Sequence, residues 1–258
     1  MNSPGESYGV ILALLFAVAA GLVGSFALMK RMLLASDVIS HVALPGIGLA
    51  FLFGFSPLLG GASTLFLGTL LIWELQKKTA LATDAMIGVV FAASLAIGAA
   101  LTPQEDLVEA LFGRFQALSF SAFLLGVAAV LLIISVVLRL KEQLLLSLFS
   151  PELAAATSVR VDRLNLYFLL TFSLTVLVGL RFMGALLAGA LVIIPATTGR
   201  RLTSDLTHFL MVSCGVSVVA TASGLLLTKV LLPHSSPGPI VVIISALLFA
   251  LSLFQKTR

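Results

Sequence analysis

The sequence predicts an all-α, polytopic bundle of transmembrane helices, and three observations support this fold class. Of the 258 residues, 60% are hydrophobic and only 10% are charged, whereas soluble domains carry about 25% charged residues. The mean hydropathy is +1.18. The apolar residues form repeated runs that are long enough for a helix to span the membrane. They do not form the alternating segments of about 10 residues that are typical of a membrane β-barrel.

Nine apolar runs are long enough to be membrane spans, at roughly 17–25 residues each. They lie at about 8–29, 32–54, 58–76, 85–102, 120–138, 164–180, 183–199, 207–231 and 239–254. The sixth and seventh runs are short and are separated by little more than Arg181. Eight spans plus a re-entrant segment is therefore an alternative. In either case we expect residues 1–258 to form a single transmembrane domain.

The basic residues predict the orientation of these spans. With the N-terminus outside, 12 of the 15 Lys and Arg residues fall in inner loops, and only Arg114, Arg181 and Lys229 fall outside. Cytoplasmic loops of membrane proteins carry the excess of Lys and Arg. The N-terminus is therefore expected outside and the C-terminus in the cytoplasm.

The second span contains two ionisable residues, Asp37 and His41, four positions apart. On a helix this spacing places both side chains on one face. A carboxylate at the centre of a transmembrane helix costs ~2.5–3.5 kcal/mol on insertion scales, and such residues usually face cavities or pathways. The alternative is an internal polar pair that locks neighbouring helices. Pro45 follows one turn later, where it either frees carbonyl groups near the pathway or only bends the helix.

A metal cation would compensate for burying this pair. Carboxylate oxygen with imidazole nitrogen suits Zn²⁺, Mn²⁺ or Fe²⁺. Two ligands do not complete a metal shell, so we expect water, backbone carbonyls or a second copy of the chain to supply the rest. A homodimer with its second spans near the two-fold axis would contribute four such ligands. His208, near the inner surface, and His234, in an outer turn, are weaker candidates.

Two connections have distinctive compositions. The outer loop 103–119 is acidic through Glu105, Asp106 and Glu109, which indicates either a solvated loop or a surface that attracts cations. The inner segment at about 140–163 contains Ser150, Pro151 and Glu152, followed by a helix-favouring alanine run. Ser150 is a candidate N-cap, and Pro151 and Glu152 suit the first turn. The predicted short helix either fills the membrane interface or transmits movement from a soluble partner.

Motifs of soluble and intramembrane enzymes are missing from the sequence. No lysine follows a glycine, so the chain has no G-K-[ST] phosphate-binding loop. It also lacks G-x-S-x-G, H-E-x-x-H and C-x-x-C, and its one cysteine, Cys214, cannot form an intramolecular disulfide. We therefore expect no enzyme activity, no permanently bound cofactor, and ATP hydrolysis only in a separate subunit. Small residues such as Gly21, Gly24 and Gly184 are interpreted as helix-packing residues.

Five sequence blocks, in order along the chain, resemble one family. They are G-S-F-A-L-M-K-R-M-L-L-A-S-D-V-I-S-H-V-A-L-P-G-I-G-L-A-F (24–51), D-A-M-I-G-V-V-F-A (84–92), L-F-S-P-E-L-A (148–154), M-G-A-L-L-A-G-A-L-V-I-I-P-A-T-T (183–198) and S-P-G-P-I (236–240). Together they are similar to the permease subunits of zinc/manganese-type ATP-binding-cassette importers. The resemblance covers essentially the whole chain.

The resemblance implies a homodimeric permease in the inner (plasma) membrane of a prokaryote. Two cytoplasmic ATPase subunits and an extracytoplasmic metal-binding protein would be its partners, with no role for nucleic acid. Asp37 and His41 would contact the transported Zn or Mn ion. The segment around Ser150, Pro151 and Glu152 would be the helix that couples to the ATPase.

Three other functions are considered. The first is an importer permease for a metal chelate or a cobalamin-like compound, which would not need an ion-ligating pair. The second is a proton-coupled secondary metal carrier that titrates Asp37 and His41 and works without an ATPase. The third is a structural membrane scaffold, for which Asp37→Ala would have no effect.

Overall fold

The computed structural model of the chain describes residues 4–33, 35–79, 83–101, 118–157, 160–231 and 237–254, and all regular structure in these ranges is helical. The helices are α1 (Pro4–Met29), α2 (Ala35–Val42), α3 (Leu44–Phe53), α4 (Pro57–Lys78), α5 (Thr83–Leu101), α6 (Phe120–Phe149), α7 (Pro151–Ala156), α8 (Val161–Met183), α9 (Ala185–Leu202), α10 (Leu206–Leu231) and α11 (Pro237–Phe254).

These helices confirm the predicted all-α membrane class. Within the described ranges, 6 helices are long and apolar enough to cross a membrane, namely α1, α4, α6, α8, α10 and α11. Shorter apolar helical segments occupy 38–53, which spans the end of α2 and all of α3, and 85–101 in α5. The weak boundary between the sixth and seventh predicted spans is a true helix break at Gly184, whose φ of 87° is a conformation that favours glycine. Gly184 therefore ends one helix and begins the next.

Helix α1 lies at the centre of the bundle. Its side chains between Leu12 and Ala27 are largely buried, and it packs against α6, α8, α9 and α10. A Cβ atom on Gly24 would lie 2.0 Å from the carbonyl oxygen of Val192, so the backbones of α1 and α9 are in direct contact there. This contact confirms the packing role predicted for Gly24.

Contacts between helix ends define the two ends of the bundle. The first turn of α1 lies beside the start of α6, because the Leu118 amide donates to the Gly5 carbonyl at 3.3 Å and the Tyr8 ring stacks on Phe123 at 4.8 Å. The last turns of α9 and α11 also meet, since Arg201 donates to the Ser252 carbonyl at 3.1 Å and to the Leu253 carbonyl at 3.0 Å.

The connection predicted at about 140–163 is shorter than expected. Helix α6 continues through residue 149 and is 30 residues long. The residues between Arg139 and Phe149 are mostly good helix formers and include no glycine or proline, so nothing in this stretch ends the helix. The connection proper therefore begins at Ser150 and leads into the short helix α7.

Candidate functional site

The second predicted span is two short helices and not one. Helix α2 ends at Val42, Ala43 forms a one-residue turn with near-helical angles (φ −73°, ψ −22°), and α3 begins at Leu44. Pro45 at the start of α3 lacks the amide that a continuous helix would use. The Ala43 carbonyl accepts from the Ile47 amide at 3.1 Å and from the Thr64 hydroxyl at 3.3 Å. The Ala43 carbonyl is therefore satisfied at the bend, whereas the carbonyl that an amide at position 45 would bond in a continuous helix is that of His41.

His41 lies in the last turn of α2, just before this bend. Its side chain is partly buried, while its neighbours Ile39 and Val42 on the same helix are almost completely buried. The imidazole contacts the ring of Phe91 on α5, with 5.5 Å between ring centroids and an angle of 61° between the planes. This edge contact restricts the orientation of the imidazole ring.

Asp37 lies on the same helix, four residues before His41. The predicted helix is thus confirmed across both positions, and helical spacing places them on one face. The side chain of Asp37 lies outside the described residues, so its contact with His41 or with a metal ion stays a prediction.

Glycines bring the backbone of α3 unusually close to α4. A Cβ atom on Gly46 would lie 1.9 Å from the Gly60 carbonyl oxygen, and a Cβ atom on Gly60 would lie 2.1 Å from the Gly46 carbonyl oxygen. On the other side, a Cβ atom on Gly98 of α5 would lie 2.5 Å from the Leu44 side chain. The bent span that carries His41 is therefore held tightly between α4 and α5.

The described side chains do not form a closed metal site. Among them, no group of three or more His, Cys, Asp or Glu residues is placed to share a metal ion. The described part of one chain therefore does not supply a full set of ligands, and a tetrahedral or octahedral shell needs further groups.

Helix α7 begins at Pro151 with Ser150 in the N-cap position, as the sequence predicts, but the expected capping hydrogen bond is missing. The Ser150 side chain makes no capping hydrogen bond. The reason is that Ser150 also ends α6: its amide donates to the Leu146 carbonyl at 2.9 Å, and its φ and ψ are −147° and 76°. The exposed residues around this junction include Glu152, with Phe149 75% and Leu153 58% exposed.

Of the remaining predicted positions, His208 lies within the described residues. His208 is exposed at the start of α10, where its Nδ1 lies 2.9 Å from Asp205 Oδ2. The hydrogen bond from the His208 side chain, followed by the one from its backbone amide, lowers the pKa of the Asp205 carboxyl. His234 and the acidic residues Glu105, Asp106 and Glu109 lie outside the described residues.

Comparisons with known proteins agree with this architecture. The ABC 3 transport family matches residues 7–256. The chain belongs to the ABC 3 transport family. The manganese transport system membrane protein MntC of Halalkalibacterium halodurans is 28% identical, over 95% of this chain and 85% of the relative. The zinc uptake system membrane protein ZnuB of Haemophilus influenzae is 28% identical, over 97% of this chain and 95% of the relative.

A solved structure shows the same fold. PsaBC from Streptococcus pneumoniae in complex with Fab superposes with a TM-score of 0.82 at 24% identity, over 98% of this chain and 92% of the other. The resemblance seen in the five sequence blocks is confirmed by the family match. As a member of the family, the chain is a transport component of a membrane transporter and not an enzyme.

Several residues of this family member were not predicted as part of the site. Phe91 lies within the predicted D-A-M-I-G-V-V-F-A block, but nothing in that block indicates a contact with His41. The Thr64 hydroxyl that binds the Ala43 carbonyl carries no sequence signal either. The Gly60-Gly61 pair in an apolar run was a detectable sign of close helix packing.

Proposed function

We propose that this chain is the membrane-spanning permease subunit of an ATP-driven importer of manganese or zinc ions. An extracytoplasmic binding protein delivers the ion, and separate ATPase subunits supply the energy. Membership of the ABC 3 transport family supports this function, together with relatives that are named as manganese and zinc transport proteins.

The observation that carries the proposal is the position of His41. Its imidazole sits at the bend of an apolar span, partly accessible, and oriented by an aromatic ring. Imidazole nitrogen binds Zn²⁺, and Asp37 adds, one turn away, a carboxylate that also suits Mn²⁺. A small ligand set also suits transport, because an ion that is bound too tightly does not leave. Discontinuous helices are common at the substrate sites of membrane transporters.

The proposed topology has nine spans in a single domain, with the N-terminus outside and the C-terminus in the cytoplasm. α2 and α3 together form one span, and α7 lies at the inner face. The contacts between helix ends support this path, because α1 and α6 both start at one end and α9 and α11 both finish at one end. The excess of basic residues in the inner loops supports the orientation.

The proposed assembly is a homodimer with two ATPase subunits. A second copy of α2 near the two-fold axis would bring another Asp37 and His41 to the ion. At the inner face, Ser150, Pro151 and Glu152 would contact the ATPase through α7. The exposed Phe149 and Leu153 side chains support this role, since apolar groups of this size commonly mark contact surfaces.

The test of the metal pathway is uptake of manganese or zinc by cells that carry His41→Ala. We expect uptake to fall by at least about ten-fold, because the substitution removes one of the few ligands of the passing ion. His208→Ala is the matched control, since it removes an exposed histidine outside the pathway and should leave uptake unchanged. Normal uptake in His41→Ala at wild-type protein levels would refute the pathway.

Reconstitution into proteoliposomes separates an ATP-driven importer from a stand-alone carrier. Proteoliposomes with the permease, its ATPase and ATP should take up the metal, and those without the ATPase should not. Uptake driven by a proton gradient alone would favour the carrier.

A further inference from the structure

Lys30 is a partly buried cation without a described counter-ion. It follows the last residue of α1, and its Nζ donates to Asn165 Oδ1 at 2.5 Å and lies 5.3 Å from the centroid of the Phe168 ring. Both partners are neutral. Burial lowers the pKa of Lys30 to about 8, so the side chain is still mostly protonated at neutral pH. Among the described residues, no carboxylate forms an ion pair with it.

A cavity of about 280 Å³ opens beside this ammonium. It lies where α1, α4 and α6 end and α8 begins. Lys30, Arg31 and Gln76 give it a polar wall that includes two cations, whereas Met29, Leu148 and Leu169 give it an apolar wall. The cavity thus combines unneutralised positive charge with a surface suited to hydrocarbon.

The backbone places Arg31 at this cavity at a conformational cost. Arg31 has a φ of 59°. The Met32 amide donates to the Ala27 carbonyl at 2.8 Å and the Arg31 amide to the Leu28 carbonyl at 3.0 Å, which is the hydrogen-bond pattern of a Schellman turn. Glycine usually occupies this position because side chains disfavour left-handed angles. An arginine here indicates a use for the guanidinium that outweighs the strain.

Neighbouring aromatic residues indicate the depth of the cavity in the membrane. Trp73, one turn before Gln76, donates through Nε1 to the Asp162 carbonyl at 2.9 Å, and the Lys77 ammonium lies 4.4 Å from its ring centroid. Tyr167 is half-exposed on α8. Trp and Tyr concentrate at the level of the lipid headgroups. The cavity therefore lies where headgroup phosphates are found.

We propose that this cavity binds the phosphate of an anionic lipid headgroup, with Lys30 and Arg31 as its cationic partners. The lysine contributes a compact charge, and the arginine fork matches the phosphate oxygens. The apolar wall receives the glycerol and the first carbons of the acyl chains, which a free phosphate ion would leave uncovered. Basic pockets between transmembrane helices are known to recognise anionic headgroups.

The test uses Trp73, which is the only tryptophan in the chain. The full-length protein is reconstituted in phosphatidylcholine vesicles with a small fraction of brominated phosphatidylglycerol or of brominated phosphatidylcholine. Bromine quenches tryptophan fluorescence only at short range. For the wild type, we expect the anionic lipid to give half-maximal quenching at about five-fold lower mole fraction than the zwitterionic lipid.

Two substitutions assign this preference to the cavity. Lys30→Gln should reduce the preference for the anionic lipid to about one-fold, so that both lipids quench equally. The matched control, Lys78→Gln, removes an exposed lysine on the same helix as Trp73, where Lys78 pairs with Glu74 at 3.2 Å, and should keep most of the preference. If Lys30→Gln does not fold, Arg31→Gln at the exposed rim replaces it and should also weaken the preference.

Three outcomes would overturn the proposal. The wild type could be quenched equally by both lipids, or Lys30→Gln could keep the full preference. Inorganic phosphate could also raise the melting temperature of the detergent-solubilised protein as much as phosphatidylglycerol does. That third result would assign the cavity to a free anion and not to a lipid.

Discussion

At the residue scale, the tightest contact in the candidate pathway is between two glycines. Gly46 and Gly60 bring the backbones of α3 and α4 so close that neither position has room for a methyl group. In a membrane, where helices associate through packing and not through exclusion of water, such close contacts hold a bundle together. The bent span that carries His41 depends on this contact for its position.

Gly46→Ala should therefore destabilise the protein. The added methyl group meets a backbone carbonyl, which cannot rotate away as a side chain can, so we expect a loss of at least about 1–3 kcal/mol. Thermal unfolding of the purified protein in detergent measures the effect.

Gly88→Ala on α5 provides the matched control. A Cβ atom there meets nothing within 4 Å, and alanine favours a helix interior by roughly 0.5–1 kcal/mol over glycine. A lower melting temperature for Gly88→Ala than for Gly46→Ala would contradict the assigned role of the 46–60 contact.

Individual residues also differ in how far the sequence predicts their role. His41 was detectable because an imidazole in an apolar run is unusual in itself. Phe91 was not detectable, because a phenylalanine in an apolar run is the expected residue, and its contact with His41 depends on how α5 packs against α2. Lys30 was assigned only to an inner loop, since its burial against Asn165 comes from tertiary structure.

At the element scale, the apolar runs are largely helical where the structure describes them, and 6 of these helices are long and apolar enough to cross a membrane, because length and hydropathy are properties of the chain itself. The errors occurred at the end of α6 and in the middle of the second span. Helix α6 continues to Phe149 through polar residues that favour helix. The second span is divided at Ala43, and the Pro45 ring alone did not predict whether the helix would bend or break.

The proposed contact between helix α7 and the ATPase leads to a prediction at the element scale. If α7 contacts the ATPase, Glu152→Lys should reduce the amount of ATPase that co-purifies with the permease by at least about ten-fold, because a reversed charge within an interface costs several kcal/mol. Quantitative pull-down of the two subunits measures the effect.

Glu142→Lys is the matched control. It makes the same charge change at an exposed position on α6, and co-purification should stay at the wild-type level. Equal loss in both variants would indicate a general charge effect, and no loss in either would remove α7 from the interface.

At the scale of the whole molecule, the arrangement of the helix ends restricts the path of the chain. The ends of α1, α4 and α6 surround one cavity together with the start of α8, while the starts of α1 and α6 meet at the opposite end of these helices. If the chain crosses the membrane at each of nine spans, the ends of α1, α4 and α6 and the start of α8 all lie on one side of the membrane, and the starts of α1 and α6 lie on the other. Positions near helix ends therefore report the topology directly.

The topology is tested with single cysteines in a Cys214→Ser background, because Cys214 is the only native cysteine. Ser7, Ser119 and Ser204 are all exposed serines near helix ends, and of the three Ser119 is an N-cap, whose hydroxyl accepts from the Ala122 amide at 3.3 Å. With nine spans and the N-terminus outside, a membrane-impermeant maleimide should label Ser7→Cys and Ser119→Cys in intact cells. Ser204→Cys should react only after permeabilisation, because it follows Arg200 and Arg201 on the basic side. Labelling of Ser204→Cys in intact cells, with Ser7→Cys also labelled, would mean that the chain crosses the membrane an even number of times before residue 204, which is the result expected if one of the predicted spans is re-entrant.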